Sequence, residues 1–451
     1  MIRKASPALP ATESYSLSVV GLGKLGLCMA GAFAEAGFHV IGVDINRKLV
    51  DMVTRGKVPY HEKNLDRVLR NGRKRLIATT NIREAVMNSD TTFIVVATPT
   101  RPDGTYGNEQ LESALTSIAQ TLRSKRAKHR IVVSCTVMPG AIEAMAIPLV
   151  EKISGKKLGR GFSIAYNPEF IAMGDVIGIF TQPDFVLVGE SEPGIGKALA
   201  EIYSALCPNH PPVSRMNLIS AEIAKISLNC FVTTKITYAN MLAELCEKLP
   251  GANVDVITAA IGQDARIGGK VLRGGIGFGG PCFPRDNRAF VRLARDHGME
   301  ANLARQTHET NVHQLERLQA LIVAAVPKGG TIAILGLAYR TDTPLVEESQ
   351  ALLLAKHLAG KGYKVKVHDY VALENARREL GEKVTYCESP IEALKGSDGA
   401  VVTMMDPRYR KLTAKEFLAA MKKGGVVFDP WRLYIKQDFK NFRYRPLGVG
   451  L

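Results

Sequence analysis

The sequence contains few cysteines, and none are paired at metal-binding or redox spacing. Seven cysteines are scattered irregularly over 451 residues, whereas disulfide frameworks use an even set in short secreted chains. No C-x-x-C motif occurs, and His308 and His313 are five residues apart, so the H-E-x-x-H zinc arrangement is absent. These absences argue against a disulfide scaffold and the common zinc motifs, and they favour a reducing compartment.

Long apolar runs are also missing. The first sixteen residues are polar and contain proline, without the apolar core of a signal peptide. No later segment reaches the roughly 20 apolar residues that a membrane-spanning helix needs. The sequence therefore predicts a cytoplasmic protein with no membrane partner.

Acidic residues are fewer than basic ones, 43 against 59, which gives a formal net charge of +16. Such a charge is compatible with anionic ligands, a nucleic-acid surface or simply a basic exterior. The basic runs 73–75 and 125–130 contain no interleaved aromatic residues and each precedes an apolar strand. We interpret both as solvated connections and expect no nucleic-acid partner.

A glycine-rich turn follows the first predicted strand. Leu17 to Val20 leads into the G-x-G-x-x-G pattern of Gly21, Gly23 and Gly26, and a helix of small residues follows. The next predicted strand, His39 to Val43, ends in Asp44, at the spacing of an acid that binds the adenosine ribose. This combination predicts a Rossmann domain that binds NAD, although Arg47 leaves NADP open. The predicted cofactor-binding residues are Gly21, Gly23, Lys24, Leu25, Gly26, Asp44, Thr98, Pro99 and Thr136.

Polar turns end three further predicted strands. Thr98-Pro99-Thr100 follows the strand over 92–96, Thr136 follows the strand over 131–134, and Glu169 follows the strand over 162–165. Ligands bind at the carboxyl ends of strands in a doubly wound sheet. Taken alone, Glu169 fits a capping role for the helical turn after it better than a role in a ligand site.

A long helix is predicted from Leu218 to about Leu249, where Pro250 and Gly251 end it. Lys225 and Asn229 are four residues apart, so they share one face and could reach one ligand. A snorkelling lysine and a surface amide would explain the same pair. The length of the helix also suits a spine between two domains and a dimer surface.

The segment from Gly274 to Asp286 reads G-G-I-G-F-G-G-P-C-F-P-R-D. Its glycines allow either positive φ angles or a main chain lying against a bound group. We interpret Cys282 as a nucleophile, since a nearby cation such as Arg285 would favour a thiolate. The alternative is a glycine-rich hinge with an incidental thiol.

After Pro327 a second α/β pattern begins, with predicted strands at 331–335, 365–367, 399–403 and 424–428. Its glycine pattern is incomplete, so we expect it to bind something other than NAD, with Tyr339, Arg340 and Arg432 available for a phosphate, sugar or base. The predicted fold class is α/β, with two Rossmann-like doubly wound domains joined by a long central helix. The predicted segments are a polar tail (1–16), the NAD-binding domain (17–212), a central helical domain (213–326) and a C-terminal α/β domain (327–451).

Together these motifs resemble the UDP-glucose/GDP-mannose dehydrogenase family of nucleotide-sugar 6-dehydrogenases. The resemblance rests on the motifs above together with Arg266-Ile267-Gly268 and Asp342-Thr343, and it spans nearly the whole chain. It implies oxidation of a C6 alcohol to a carboxylate with two NAD and one water, nucleotide-sugar binding by the C-terminal domain (327–451), and a homodimer formed through the central helical dimerisation domain (213–326). It also implies a place in polysaccharide biosynthesis. The catalytic residues that it implies are Cys282, Lys225, Asn229, Asp286, Glu169 and Thr136. The substrate-binding residues that it implies are Phe170, Lys225, Asn229, Arg266, Phe278, Gly279, Tyr339, Arg340 and Arg432.

Two positions depart from the family pattern. Met173 stands at the position, four residues after Glu169, where family members often have a second glutamate. Any role of that second carboxylate is therefore unfilled here, or it passes to Glu169 or Asp175. Glu347 stands where an arginine often approaches the cofactor. UDP-glucose is our first choice of substrate. Two other substrates remain open, GDP-mannose and a UDP-N-acetylhexosamine. Two other functions also remain open: a two-electron hydroxyacid dehydrogenase and a catalytically inert nucleotide-sugar-binding protein.

Overall fold

The computed structural model describes residues 16–439 and 442–451. The chain divides into two compact units, of which the first ends at Ile226 and the second begins at Ser227. The predicted polar tail lies outside the described residues except for Ser16, which begins the first strand. Among the described residues, no helix combines the length and apolarity that a membrane crossing requires.

One sheet forms the centre of the first unit. Its strands β1 to β8 are Ser16–Val20, His39–Val43, Leu76–Thr79, Thr91–Ile94, His129–Val133, Phe162–Tyr166, Val186–Glu190 and Val213–Met216. They are ordered β3-β2-β1-β4-β5-β6-β7-β8. Neighbouring strands are parallel except for β6 and β7, which are antiparallel. The reversal of strand order between β1 and β4 creates the crevice where doubly wound sheets bind ligands.

Helices cover this sheet because apolar side chains on its strands must be buried. Helices α1 to α8 are Lys24–Glu35, Arg47–Thr54, Leu65–Gly72, Ile82–Met87, Glu109–Leu122, Ile147–Ser154, Val176–Thr181 and Pro193–Leu206, with a π-helical turn at Ile142–Ala146. Asparagine caps begin two of them: the Asn46 side chain accepts from the backbone of Lys48, and that of Asn81 accepts from Glu84. Such caps satisfy N–H groups that have no partner within the helix.

Helix α9, Leu218–Cys246, crosses the boundary between the units. The helices that follow, α10 to α16, are Val254–Ile261, Phe283–Asp296, Asn302–Ala325, Gln350–Gly360, Leu373–Leu380, Pro390–Leu394 and Ala414–Ala420. Strands β9 to β14 are Thr331–Leu335, Lys364–His368, Thr385–Tyr386, Gly399–Val402, Val426–Asp429 and Arg443–Pro446. Their order β11-β10-β9-β12-β13-β14 repeats the arrangement of the first six strands of the first unit. The predicted α/β fold class with two doubly wound domains is confirmed.

The interpretation of residues 125–130 as a solvated connection is wrong for two of them. Lys125 is buried, and its ammonium donates to the Val86 carbonyl at 2.6 Å and contacts His129 Nδ1 at 3.0 Å. His129 is buried within β5, and its Nε2 lies 2.7 Å from the Thr92 hydroxyl. These groups form a polar network inside the first unit, because each finds a partner that replaces water.

This network predicts a pH-dependent stability. Burial, together with the charge of Lys125, lowers the pKa of His129 to about 3. In the unfolded chain a histidine titrates near pH 6.5, so between these values only the unfolded chain binds the proton, and stability falls as pH falls. We expect the wild type to lose about 2 kcal/mol of unfolding free energy from this group between pH 7 and pH 5. Urea unfolding of wild type and His129→Asn at both pH values measures it, and an unchanged pH dependence in the variant would contradict the assignment.

Candidate functional site

The three glycines of the turn after β1 differ in whether the protein's own atoms leave room for a side chain. Gly21 has φ of +96°, and a Cβ there would overlap the Val95 carbonyl, while a Cβ on Gly26 would overlap the carbonyl oxygen of Gly21. A Cβ on Gly23 would meet no described atom within 4 Å. The protein itself therefore requires glycine at 21 and 26, whereas its own atoms leave room for a side chain at 23, the position where the dinucleotide pattern expects a phosphate to approach.

Gly23 is also the N-cap residue of α1. It supplies no side-chain cap, and the first turn of α1 contains no acidic side chain. The N–H groups of this turn and the helix dipole together favour a phosphate. Asp44 accepts from the Leu22 backbone at 2.7 Å and from the Asn46 backbone at 2.8 Å, which holds its carboxylate beside the turn. These residues fit the pyrophosphate and ribose of a dinucleotide.

Two matched substitutions separate the roles of these glycines. We expect Gly23→Ala to leave the melting temperature within about 2 °C, because the added methyl group enters open space, and to weaken NAD binding by about tenfold or more by obstructing the phosphates. Gly26→Ala should lower the melting temperature, because the overlap with Gly21 forces the turn apart. Thermal unfolding and calorimetric titration with NAD measure both. Unimpaired NAD binding by Gly23→Ala would contradict the placement of the NAD phosphates at this turn.

The turns after the next strands contain the other predicted residues of this unit. Thr98 is buried and Pro99 exposed after β4, and Thr136 is half-buried after β5. The backbone N–H groups of Gly140 and Ile142 donate to the carboxylate of Glu222 on α9 at 2.6 and 3.0 Å. Burial raises the pKa of Glu222. This carboxylate fixes the turn that carries Thr136, and sequence analysis missed it because a lone glutamate on an apolar helix carries no signal.

Glu169, Phe170 and Lys225 lie together. The Lys225 ammonium donates to the Glu169 carbonyl at 2.6 Å and lies 4.5 Å from the centroid of the Phe170 ring. The Glu169 carboxyl is 2.6 Å from the Tyr203 hydroxyl. Burial raises the pKa of Glu169 to about 7, although the Tyr203 hydroxyl and the charge of Lys225 act in the opposite direction. A carboxyl that titrates near neutral pH can take or give a proton.

The residues after Glu169 occupy the place where the family pattern has a second glutamate. Met173 packs against the apolar core of the first unit. Asp175 forms an ion pair with Lys63 at 3.3 Å, and the buried Glu62 accepts from the backbone of Gly174 and Val176, both at 3.1 Å. Of the two carboxylates considered at the sequence level, Glu169 is the one that lies beside Lys225.

In the second unit, Cys282 is the N-terminal cap of α11. Its thiol is exposed, whereas the other six cysteines are buried. Burial raises the pKa of Cys135, Cys207 and Cys230 to about 12. The start of a helix is also a favourable position for negative charge on sulfur. The structure therefore singles out Cys282 as the thiol suited to nucleophilic chemistry.

Asp286 lies one turn later on α11 and is fully buried. The Asn229 amide donates to one of its carboxylate oxygens at 2.6 Å, and Arg285 donates to the other at 3.0 Å. Asn229 and Asp286 are thus in contact within the second unit, as Glu169 and Lys225 are within the first. The N–H of Asp286 also donates to the Cys282 carbonyl at 2.8 Å.

The glycines before Cys282 lie against the protein's own atoms. A Cβ on Gly275 would overlap the Trp431 ring, and a Cβ on Gly279 would overlap the Glu348 carbonyl. The glycine run by itself suggests positive φ angles or a bound group, but close packing within the second unit is what accounts for these two positions. The loop is consequently a tightly packed platform for the cysteine.

Four carboxamide side chains hold the backbone of this platform, and sequence analysis did not identify them. Their bonds are Asn240 with Gly275 N–H and Ile276 C=O, Asn311 with both backbone groups of Phe278, Gln314 with Gly275 C=O and Gln350 with Phe278 C=O. Phe278 itself is buried, and its ring packs edge-on against Phe283. Buried amides that pair with a loop backbone remove the cost of unpaired polar groups and keep the loop in one conformation.

The remaining predicted substrate residues differ in availability. Arg266 is largely exposed and its guanidinium is paired with Asp264 at 2.6 Å. Tyr339 and Arg340 are half-buried, and the ring of Tyr339 packs beside Gly280. Arg432 is buried, and its five N–H donors are engaged by Asp255 and three carbonyls. This geometry gives Arg432 a structural role and leaves it no donor for a direct contact with substrate.

The turn after β9 shows why the second unit differs from the first. Gly336 has φ of +104°, as the first glycine of such a turn requires. The N–H groups of Leu337 and Ala338 both donate to Asp369, at 2.7 and 3.1 Å. The following helix, α13, begins only at Gln350 and is capped by Ser349. The first helix after this turn is therefore capped by the protein's own side chain, unlike α1. This difference agrees with the incomplete glycine pattern of the second unit.

No group of three or more His, Cys, Asp or Glu side chains within residues 16–439 and 442–451 is arranged to hold a metal ion.

Comparison with known proteins places these features in a family context. Three domain models of the UDP-glucose/GDP-mannose dehydrogenase family match: the NAD-binding domain over residues 15–207, the central domain over 219–313 and the UDP-binding domain over 333–436. A UDP-glucose 6-dehydrogenase from Haloferax volcanii is 36% identical over 426 residues, covering 94% of this chain and 98% of that protein. A GDP-mannose 6-dehydrogenase from Pseudomonas putida is 32% identical, covering 88% and 92%. The solved structure of a UDP-glucose dehydrogenase from Pyrobaculum islandicum superposes with a TM-score of 0.89 at 31% identity, covering 99% of this chain and 100% of that one.

Proposed function

The chain belongs to the UDP-glucose/GDP-mannose dehydrogenase family, and we propose that it oxidises the C6 alcohol of UDP-glucose to the carboxylate of UDP-glucuronate. It is an NAD-dependent nucleotide-sugar 6-dehydrogenase. The observation that carries the proposed covalent mechanism is the exposed Cys282 thiol at the start of α11, on a loop whose backbone is held by buried amides.

In the first oxidation, the C6 alcohol loses a proton and a hydride and becomes an aldehyde. NAD, when bound, supplies the hydride acceptor. Lys225, whose ammonium contacts the Glu169 carbonyl and the Phe170 ring, stabilises the alkoxide that forms as the alcohol proton passes to water. The Asn229 amide, which Asp286 orients at 2.6 Å, donates to the same oxygen.

In the second oxidation, the Cys282 thiol adds to the aldehyde, its sulfur to the carbon and its proton to the carbonyl oxygen, which gives a thiohemiacetal. Loss of that proton to water and of a hydride, for which a second NAD would be the acceptor, leaves a thioester on Cys282. Water then adds to the thioester carbon while Glu169 removes a proton from it, and the carbon–sulfur bond breaks to release the carboxylate and the thiol. A covalent link retains the half-oxidised sugar, which is the chemical reason for a cysteine. Thr136 is the proposed hydroxyl partner of this water.

The experiment is a panel of nucleotide sugars incubated with the protein and NAD. We expect NADH formation with UDP-glucose, two NADH per sugar and UDP-glucuronate as the product, with little reaction of GDP-mannose and UDP-N-acetylmannosamine. Preference for another sugar would replace UDP-glucose as the proposed substrate, and the proposed oxidation at C6 would stand. One NADH per sugar would favour a two-electron hydroxyacid-type dehydrogenase, and NAD binding without any turnover would favour an inert binding protein.

We propose Phe170, Arg266, Phe278, Gly279, Tyr339 and Arg340 as substrate contacts, and polysaccharide biosynthesis as the use of the product.

A homodimer through the central helices is supported by an exposed apolar stripe. Phe231, Tyr238, Met241 and Leu245 recur at helical spacing along α9 and are 64, 47, 51 and 53% exposed. Such a stripe on one helix face favours burial against another copy of the chain. We expect a dimer in analytical ultracentrifugation, and a monomer for Phe231→Glu combined with Leu245→Glu. Ile391→Glu, at an exposed position on α15 outside the central helices, is the control. The four predicted segments and the cytoplasmic location stay predictions.

A further inference from the structure

The carboxyl group of Glu169 belongs to a buried chain of three side chains that sequence analysis did not detect. Tyr203 on α8 and Asn167 after β6 are each 1% exposed. The Tyr203 hydroxyl lies 2.8 Å from Asn167 Oδ1 and 2.6 Å from Glu169 Oε1. Both separations are hydrogen-bond distances.

The orientation of the Asn167 amide is fixed by its other end. Its Nδ2 donates to the Leu187 carbonyl at 2.9 Å. A flipped amide would set its oxygen against that carbonyl, two acceptors in contact, so Oδ1 must face Tyr203. Asn167 therefore presents an acceptor to the tyrosine.

Counting protons shows which charge state of Glu169 this chain favours. The Tyr203 hydroxyl has one proton, and burial raises its pKa well above the usual value, so the proton stays on the oxygen. That proton cannot be donated to both Asn167 and Glu169. When Glu169 is protonated, it donates to Tyr203 and Tyr203 donates to Asn167, so both bonds form. When Glu169 is ionised, Tyr203 must turn to it, and the buried Oδ1 of Asn167 loses its donor.

We propose that Asn167 and Tyr203 are positioning residues that form a hydrogen-bond relay to Glu169. Tyr203 orients the carboxyl, and Asn167 competes for the Tyr203 proton and so offsets the stabilisation that this hydroxyl gives the carboxylate. This inference rests on the proposed role of Glu169 in the dehydrogenase. The charged and titratable groups around the carboxyl are Lys225 on α9, Tyr203 on α8 and Cys207 at the end of α8. Lys225 and the Tyr203 hydroxyl favour the carboxylate, and Asn167 opposes the hydroxyl, so that Glu169 takes a proton from water in the hydrolysis step and releases it at neutral pH.

The test follows the titration of Glu169 directly. Protein labelled with carbon-13 at the glutamate side-chain carboxyl is titrated by NMR, with Glu169→Gln to assign the signal. We expect Asn167→Leu to lower the pKa of Glu169 by about one unit, because the Tyr203 proton is then available to the carboxylate at no cost. In a Tyr203→Phe background the same substitution should change that pKa by no more than a few tenths of a unit, because Asn167 acts only through the hydroxyl.

An unchanged pKa in Asn167→Leu, or an equal shift in both backgrounds, would overturn the relay. Asn167→Ala removes the same acceptor with less bulk and is used if the leucine variant does not fold. Asn209→Leu, at an exposed amide of the same unit, is the matched control and should leave the titration unchanged. The titration needs no substrate, so a lack of turnover with nucleotide sugars would contradict the proposed function without affecting this result.

Discussion

Replacing Cys282 by alanine is expected to abolish formation of the uronate, with a fall in turnover of about 10³-fold or more, since the second oxidation requires a covalent adduct at this sulfur. Cys282→Ser should retain some single hydride transfer or trap an intermediate, because a hydroxyl is a much weaker nucleophile than a thiolate and a poorer leaving group. Quantifying NADH and uronate in the same reaction measures the effect.

Cys246→Ala is the matched control, because that thiol is buried in the second unit and burial raises its pKa. It should keep near-normal turnover after a modest loss of stability. Alkylation of the native protein should modify Cys282 before any other cysteine, in line with its exposure. Full uronate production by Cys282→Ala or Cys282→Ser would exclude the thioester route altogether.

Replacing Arg432 by methionine is expected to cost about 3 kcal/mol of unfolding free energy, the largest stability effect that we predict. The guanidinium binds Asp255 at 2.7 and 2.8 Å and also donates to the carbonyls of Gly274, Pro430 and Leu447. Methionine fills much of the same space but leaves these acceptors without their donor. Arg432 also has φ of +56°, a strained conformation that the surrounding bonds maintain.

Urea unfolding of Arg432→Met measures this loss, and Arg340→Met is the comparison. Arg340 is half-buried and was proposed as a substrate contact, so its replacement should change the affinity for the nucleotide sugar with little change in stability. If Arg432→Met kept full stability and lost only substrate affinity, the sequence-level role of Arg432 as a substrate contact would be restored and the structural role withdrawn.

Local patterns made the first unit largely predictable. The strand His39–Val43 has the bounds read from the sequence, and the glycine turn and Asp44 lie where the dinucleotide pattern places them. Their spacing is set by consecutive residues, because a strand, a tight turn and a helix are short-range structures. The second α/β unit was predictable for the same reason, and its strand Thr331–Leu335 also has the expected bounds.

Roles that depend on distant partners were not predictable. Arg432 became a clamp because Asp255 lies 177 residues away in sequence but within 2.7 Å in the fold. Lys125 resembled a surface residue until the structure placed carbonyls and His129 around its ammonium. The glycines before Cys282 were compatible with a bound ligand until Trp431 and Glu348 were found against them.

The sequence by itself determined the order of strands and helices and the glycine turn, and it supplied the prediction that Cys282 reacts, because these depend on hydrophobic periodicity and on motifs of adjacent residues. Only the tertiary structure decided which polar groups are satisfied by the protein and which remain for a ligand. That distinction depends on burial and on the partners that folding brings together, as the Asn167–Tyr203–Glu169 chain shows.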